Sequence, residues 1–220
     1  MNPVVAADVL TTNPQVAAIQ ARLEGQIKTL LASLPDAAKM SAVERRNLIA
    51  RYTCVLEGNF IYWMTGAYIA LGTDAARAKI MDNLREEVRD AHPAMLRRFA
   101  LAAHAAPTDT DAAAVYENLS KVRSFIGKLQ PVPIVVTMAF YEGFIQQFML
   151  YLADLAKRQG SSDMEYTDVH GVCDITHTAE LYEAVDAELT LQKQPVSEQA
   201  MYEGVGLLRA LIQDIVAVEA

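Results

Sequence analysis

The chain has 220 residues, 52% of them apolar and 21% charged, enough to bury a large core and unlike a disordered, collagenous or disulfide-stapled chain. Its two cysteines, Cys54 and Cys173, are too few for a disulfide framework and fit a reducing compartment. A formal net charge of −8, with no basic cluster beyond pairs such as Arg97-Arg98, argues against nucleic acid and against an anionic membrane surface.

The N-terminus shows no cationic start before an apolar run, since the first basic residue is Arg22, so no secretory signal is expected. Asn13-Pro14 opens a first helix that runs to about Leu34. Ser41 with Glu44 reads as a capping box for a second helix, through Glu57 and Trp63 to about Gly72. The apolar stretch within it, 60–71, is shorter than the roughly 20 residues of a membrane span. Thr73-Asp74 starts a third segment carrying Asp82, Glu86 and Glu87. Pro93 pushes His92 away from helical geometry, which predicts a break at His92 and a new helix behind it.

Thr108 to Asp111 cap a fifth helix ending near Gly127. A sixth runs from about Pro133 to Arg158. Its β-branched opening, Ile134 to Thr137, belongs to an apolar pattern too long for a strand. Glu142, Gln146 and Gln147 interrupt that pattern, so it does not read as a span either. A seventh helix covers about 164–190, and an eighth runs from Ser197 to the end. The expectation is one all-α domain over 1–220, of seven or eight helices, soluble and cytoplasmic.

There is no P-loop, dinucleotide fingerprint, CxxC zinc spacing or nucleophile elbow. The informative residues are acids and imidazoles inside apolar helices. His170, Asp174 and His177 stand at i, i+4 and i+7, within about 60° on one helix face, a half-site for a transition metal. Glu142 lies in Met138-Ala139-Phe140-Tyr141-Glu142-Gly143-Phe144-Ile145, and Glu57 in Cys54-Val55-Leu56-Glu57-Gly58-Asn59-Phe60-Ile61. A carboxylate buried in such company must be paired, protonated or metal-bound. The glycine after each would admit a close neighbour. His92 with Glu86 or Glu87 completes the donors. Three imidazoles and four carboxylates suit iron or manganese, and four negative charges would neutralise two divalent cations. Cys173 points about 100° away from Asp174 and reads as packing.

A ferritin-type site would carry Glu-x-x-His on two helices, and this chain has none. The order Glu57, Asn83-Leu84…Glu86-Glu87…His92-Pro93, Glu142, then His170-x3-Asp174-x2-His177 resembles the haem-oxygenase-like di-metal oxidases. These include para-aminobenzoate-forming oxidases, an alkene-forming fatty-acid decarboxylase and the N-oxygenase domain of nitrosourea biosynthesis. The resemblance spans nearly the whole chain.

It implies a haem-oxygenase-like bundle holding two irons that activate O2. His92, Asp174 and His177 would hold one iron, Glu142, His170 and Glu87 (or Glu86) the other, with Glu57 bridging. Manganese is an alternative metal. The implied reaction is N-oxygenation, oxidative C–C cleavage or decarboxylation of a small amine, amino-acid-derived or carboxylic-acid metabolite in a biosynthetic pathway. Tyr62, Trp63, Met64, Tyr141 and Phe144 are candidates to line the substrate pocket. Expected partners are this small molecule and a second copy of the chain in a homodimer. Two other readings stay open: a metal-free enzyme on the same fold (thiaminase-like or a cofactor-free oxidase), and a non-enzymatic helical interaction protein. Helical phase places Glu87, with Ile80 and Leu84, toward the bundle and Glu86 toward solvent or Arg89. Glu87 and His92 would lie about 140° apart on a regular helix, so the backbone must unwind between them.

Overall fold

A computed structural model describes residues 13–218. The described residues form eight α-helices and no strand: α1 (Pro14–Ala32), α2 (Ala42–Ala70), α3 (Asp74–Arg89), α4 (His92–Ala102), α5 (Asp109–Ile126), α6 (Pro131–Arg158), α7 (Glu165–Leu191) and α8 (Glu198–Val216). None is long and apolar enough to cross a membrane.

Side chains that satisfy orphan amides fix most of the helix starts. Asn13 caps α1, and Ser41 with Glu44 and Thr108 with Asp111 form complete capping boxes on α2 and α5. The sixth helix starts at Pro131 rather than Pro133. Both prolines fit its first turn, where backbone N–H groups have no helical partner anyway. The β-branched run is helical and wholly buried, and the Thr137 hydroxyl donates to the Pro133 carbonyl at 2.7 Å.

α6 is the central rod, buried along most of its length, and packs most extensively against α7. α1 and α8 also pack on α6, α2 lies against α4, α5 and α6, and α3 lies against α7. Close approach depends on missing side chains. A Cβ on Gly204 of α8 would come within 2.2 Å of Thr137 Oγ1 and 2.4 Å of the Phe125 ring. The arrangement leaves the ends of α3 and α4 facing the middles of α6 and α7.

Candidate metal centre

The break predicted before Pro93 is present and sharp. α3 stops at Arg89, Ala91 adopts a left-handed conformation with φ 55°, and α4 starts at His92. This turn removes the 140° offset and folds His92 back onto Glu87, so that His92 Nδ1 lies 2.7 Å from Glu87 Oε1. Both are only 4% exposed. His170 of α7 completes the group, with Nε2 3.8 Å from the same oxygen. One donor atom from each of Glu87, His92 and His170 lies within 4.8 Å of the others. The outer nitrogen of His170, Nδ1, donates to the Tyr166 carbonyl at 2.9 Å, which turns Nε2 inward.

One turn further along α7, Asp174 and His177 face Glu142 of α6. His177 Nδ1 stands 3.7 Å from Asp174 Oδ1 and 4.0 Å from Glu142 Oε2. Asn83 of α3, itself 3% exposed, donates to Glu142 Oε1 at 2.8 Å. Between the two groups lies a cavity of about 20 Å³, room for an ion or a water. Glu87, His92, Glu142, His170 and Asp174 form its polar wall, and Leu56, Phe60, Ile61, Leu96 and Ile145 its apolar wall.

The model of a family described as iron-containing redox enzymes matches residues 47–211. The chain belongs to that haem-oxygenase-like family. No curated protein and no solved structure matches it.

The donors fit the iron of that family. They are mixed N/O side chains, and Asp174, which lines the cavity, and His177 beside it each have a buried atom, Oδ2 and Nδ1, without a hydrogen-bond partner among the described residues. A buried polar atom left unsatisfied costs about 1–3 kcal/mol, which a coordinated cation would offset. The charge states agree. Burial opposes ionisation of Glu87, but the imidazoles of His170 and His92 prevail and hold its carboxyl down at about 2. Burial and the Asp174 carboxylate push Glu142 well above the usual range, against the pull of His177 and Asn83. Burial alone would lower His177, yet Asp174, Glu142 and Glu86 lift it to about 10.

The iron-family donors divide differently from the split that the resemblance implied. Glu87, His92 and His170 form one group; Asp174 and His177, with Cys173 beside them, form the other, and Glu142 faces His177. The cause is helical advance: His170 precedes Asp174 by a turn and so meets the start of α4, while His177 reaches α3 and α6. Glu57 joins neither group. It is ion-paired with Arg97 of α4 and lines a separate cleft. Gly58 meets no close neighbour there, unlike Gly143, where α1 approaches. Glu86 is half-exposed, as its phase suggests, but its partner is not Arg89. Glu86 Oε2 accepts from His177 Nε2 at 3.0 Å, and Arg89 pairs with Asp90.

The aromatic candidates do not line the cavity. Tyr62 is 48% exposed, and Trp63, Met64, Tyr141 and Phe144 are core. Trp63 packs edge-on to Tyr141, with ring centroids 5.3 Å apart. Phe60 and Tyr166 are the aromatic residues that reach the cavity, and Tyr166 does so beside the donors. Its hydroxyl shares a 2.8 Å hydrogen bond with Tyr52, and its ring lies 4.2 Å from that of His170. Tyr166 stands at i−4 from His170, the one sequence signal that could have found it. Asn83 served only as a register mark in the sequence, although its position at i−4 from Glu87 puts both on one face. Cys173 does more than pack: its thiol, pushed up by burial and by Asp174, stays protonated and donates to Asp174 Oδ1 at 3.2 Å.

Proposed function

We propose that the protein is an O2-activating non-haem di-iron oxidase or oxygenase. Its substrate on this reading is a small amine, amino-acid-derived or carboxylic-acid metabolite, N-oxygenated or cleaved oxidatively at a C–C bond. The observation that carries this reading is the small cavity walled by Glu87, His92, Glu142, His170 and Asp174, with Glu87–His92–His170 grouped on one side and His177 within 4.0 Å of Asp174 and Glu142 on the other. Two irons held there, or manganese in their place, would supply the redox chemistry for O2 activation.

The chain's own residues do the rest. The Tyr166 carbonyl and the Glu86 carboxylate each hold the outer nitrogen of a histidine, fixing tautomer and ring orientation. Asn83 holds one oxygen of Glu142 and leaves the other toward His177. Leu56, Phe60, Ile61 and Leu96 exclude bulk water from the donors, which strengthens every electrostatic interaction among them.

Anaerobic reconstitution with Fe(II) tests this directly. The expected result is two irons per chain by metal analysis and rapid O2 uptake when air is admitted. A chain that takes up no iron, or takes it up and leaves O2 unconsumed, would sink the reading.

A further inference from the structure

The cavity between the donor groups, at about 20 Å³, has no room for an organic substrate. Beside it, between α2, α4 and α5, lies an open cleft of about 550 Å³, a size typical of small-molecule sites. The two spaces share a wall. Pro93 lines both, and Leu56 of the cavity is followed in the chain by Glu57 of the cleft.

The cleft carries two guanidinium groups in a chain that is otherwise acidic. Arg123 is held in place: its Nε donates to Asn59 Oδ1 at 2.7 Å, and Asn59, 3% exposed, is anchored by donating to the Val55 carbonyl at 2.8 Å. The terminal nitrogens of Arg123 make no other hydrogen bond among the described residues. Arg97, on α4, already holds a carboxylate, that of Glu57. Gly58 keeps the floor open, since a Cβ there meets nothing within 4 Å. A second cleft, of about 520 Å³, borders His177 from the other side, but its chemistry differs. Arg85 and Arg89 are paired with Asp82 and Asp90 on their own helix and its cap, and Asp82, Glu86 and Glu180 leave that lining acidic.

The geometry points to the α2–α4–α5 cleft as the binding site of the substrate's carboxylate, held by Arg97 and Arg123, with Glu57 released from Arg97 as the carboxylate arrives. Planar carboxylates match the guanidinium fork, and two such groups select an anion over an amine. The remainder of the substrate then faces Pro93 and Leu56, toward the donors. This inference rests on the di-iron reading for calling the ligand a substrate. The carboxylate site itself stands on the cleft's own residues.

Calorimetric titration with hexanoate, hexylamine and inorganic phosphate tests it, on anaerobic iron-loaded protein and again after chelator treatment. Hexanoate is expected to bind in both states and hexylamine in neither. Arg97→Gln and Arg123→Gln each weaken hexanoate by about tenfold or more. Glu57→Gln, which removes the internal competitor, strengthens it severalfold. Gly58→Leu, placed in open space on a helix, keeps wild-type iron content and thermal stability but abolishes hexanoate binding. The proposal is overturned if wild type does not bind hexanoate, or if phosphate or hexylamine binds as tightly. It is equally overturned if Gly58→Leu or the arginine variants bind hexanoate as wild type does, or if binding vanishes with the iron. Failure to load iron while arginine-dependent hexanoate binding persists would instead sink the di-iron reading and leave the carboxylate site standing.

Discussion

The two donor groups are both built from carboxylates and imidazoles, yet the fold satisfies them differently. In the Glu87 group one carboxylate lies between two imidazoles, and burial is outweighed by those partners. In the Glu142 group two buried carboxylates share one imidazole, Glu142 is driven toward its protonated form, and Asp174 Oδ2 and His177 Nδ1 lack hydrogen bonds among the described residues. The first group finds its partners within the fold, and the second leaves two buried polar atoms that a cation would satisfy. Donor identity therefore says little about how far a site is organised before metal arrives; the ratio of buried anions to their partners says more.

The largest test removes a donor from each side. With His170→Ala and His177→Ala, each variant should retain about one iron per chain, lost from the altered group, read by metal analysis after reconstitution. If either retains both irons, the groups are not two sites. A smaller effect separates the supports behind the histidines. His170 is braced by a backbone carbonyl, whereas His177 is braced by the half-exposed Glu86. Glu86→Ala should leave the fold intact and weaken iron on the His177 side about 10–100-fold in a competition with chelator. Unchanged affinity would show that the brace is incidental.

The same isosteric change should act with opposite sign on the two sides of the metal-free protein. Glu142→Gln keeps the shape of the acid and removes a buried charge conflict, so thermal unfolding should rise by roughly 2–4 °C, about 1 kcal/mol. Glu87→Gln breaks the pair with His92 and should lower stability by about 1–3 kcal/mol. Shifts of equal sign in calorimetry would erase the distinction between the groups. Smallest and most specific is the pH dependence of that second loss. A carboxyl held at about 2 contributes fully above its unfolded value near 4.3, and the contribution fades as pH falls toward 2. The stability gap between wild type and Glu87→Gln, followed by chemical denaturation without metal, should therefore narrow from pH 5 to pH 2. A constant gap would mean that the loss is one of packing.

Much of the fold was legible because its signals are local. Caps at Asn13, Ser41 and Thr108 and the break at His92-Pro93 depend on residues within a few positions of one another, and they recur at the observed helix starts. That these acids and imidazoles would meet was legible for a related reason: such a group inside an apolar face has little choice but to find others. The grouping of the donors was not, because helical phase gives the side of a helix but not which neighbour stands at which height. Glu57 shows the limit most clearly. Its carboxylate turns to an arginine on another helix, and nothing within α2 announces Arg97. The aromatic residues near the donors failed as cavity candidates for the opposite reason, since proximity in sequence on a buried helix mostly means packing into the core.

The left-handed turn at Ala91 has a mechanical meaning. It joins α3 to an eleven-residue rod, α4, whose start has no side-chain cap. His92 sits at the hinge end of that rod and Arg97 five residues along it, roughly 7.5 Å away. On the proposed reading, a load applied at Arg97 would pass along this helix to the imidazole of His92. Occupancy of the outer cleft and alignment of an inner donor would then be two readings of a single angle.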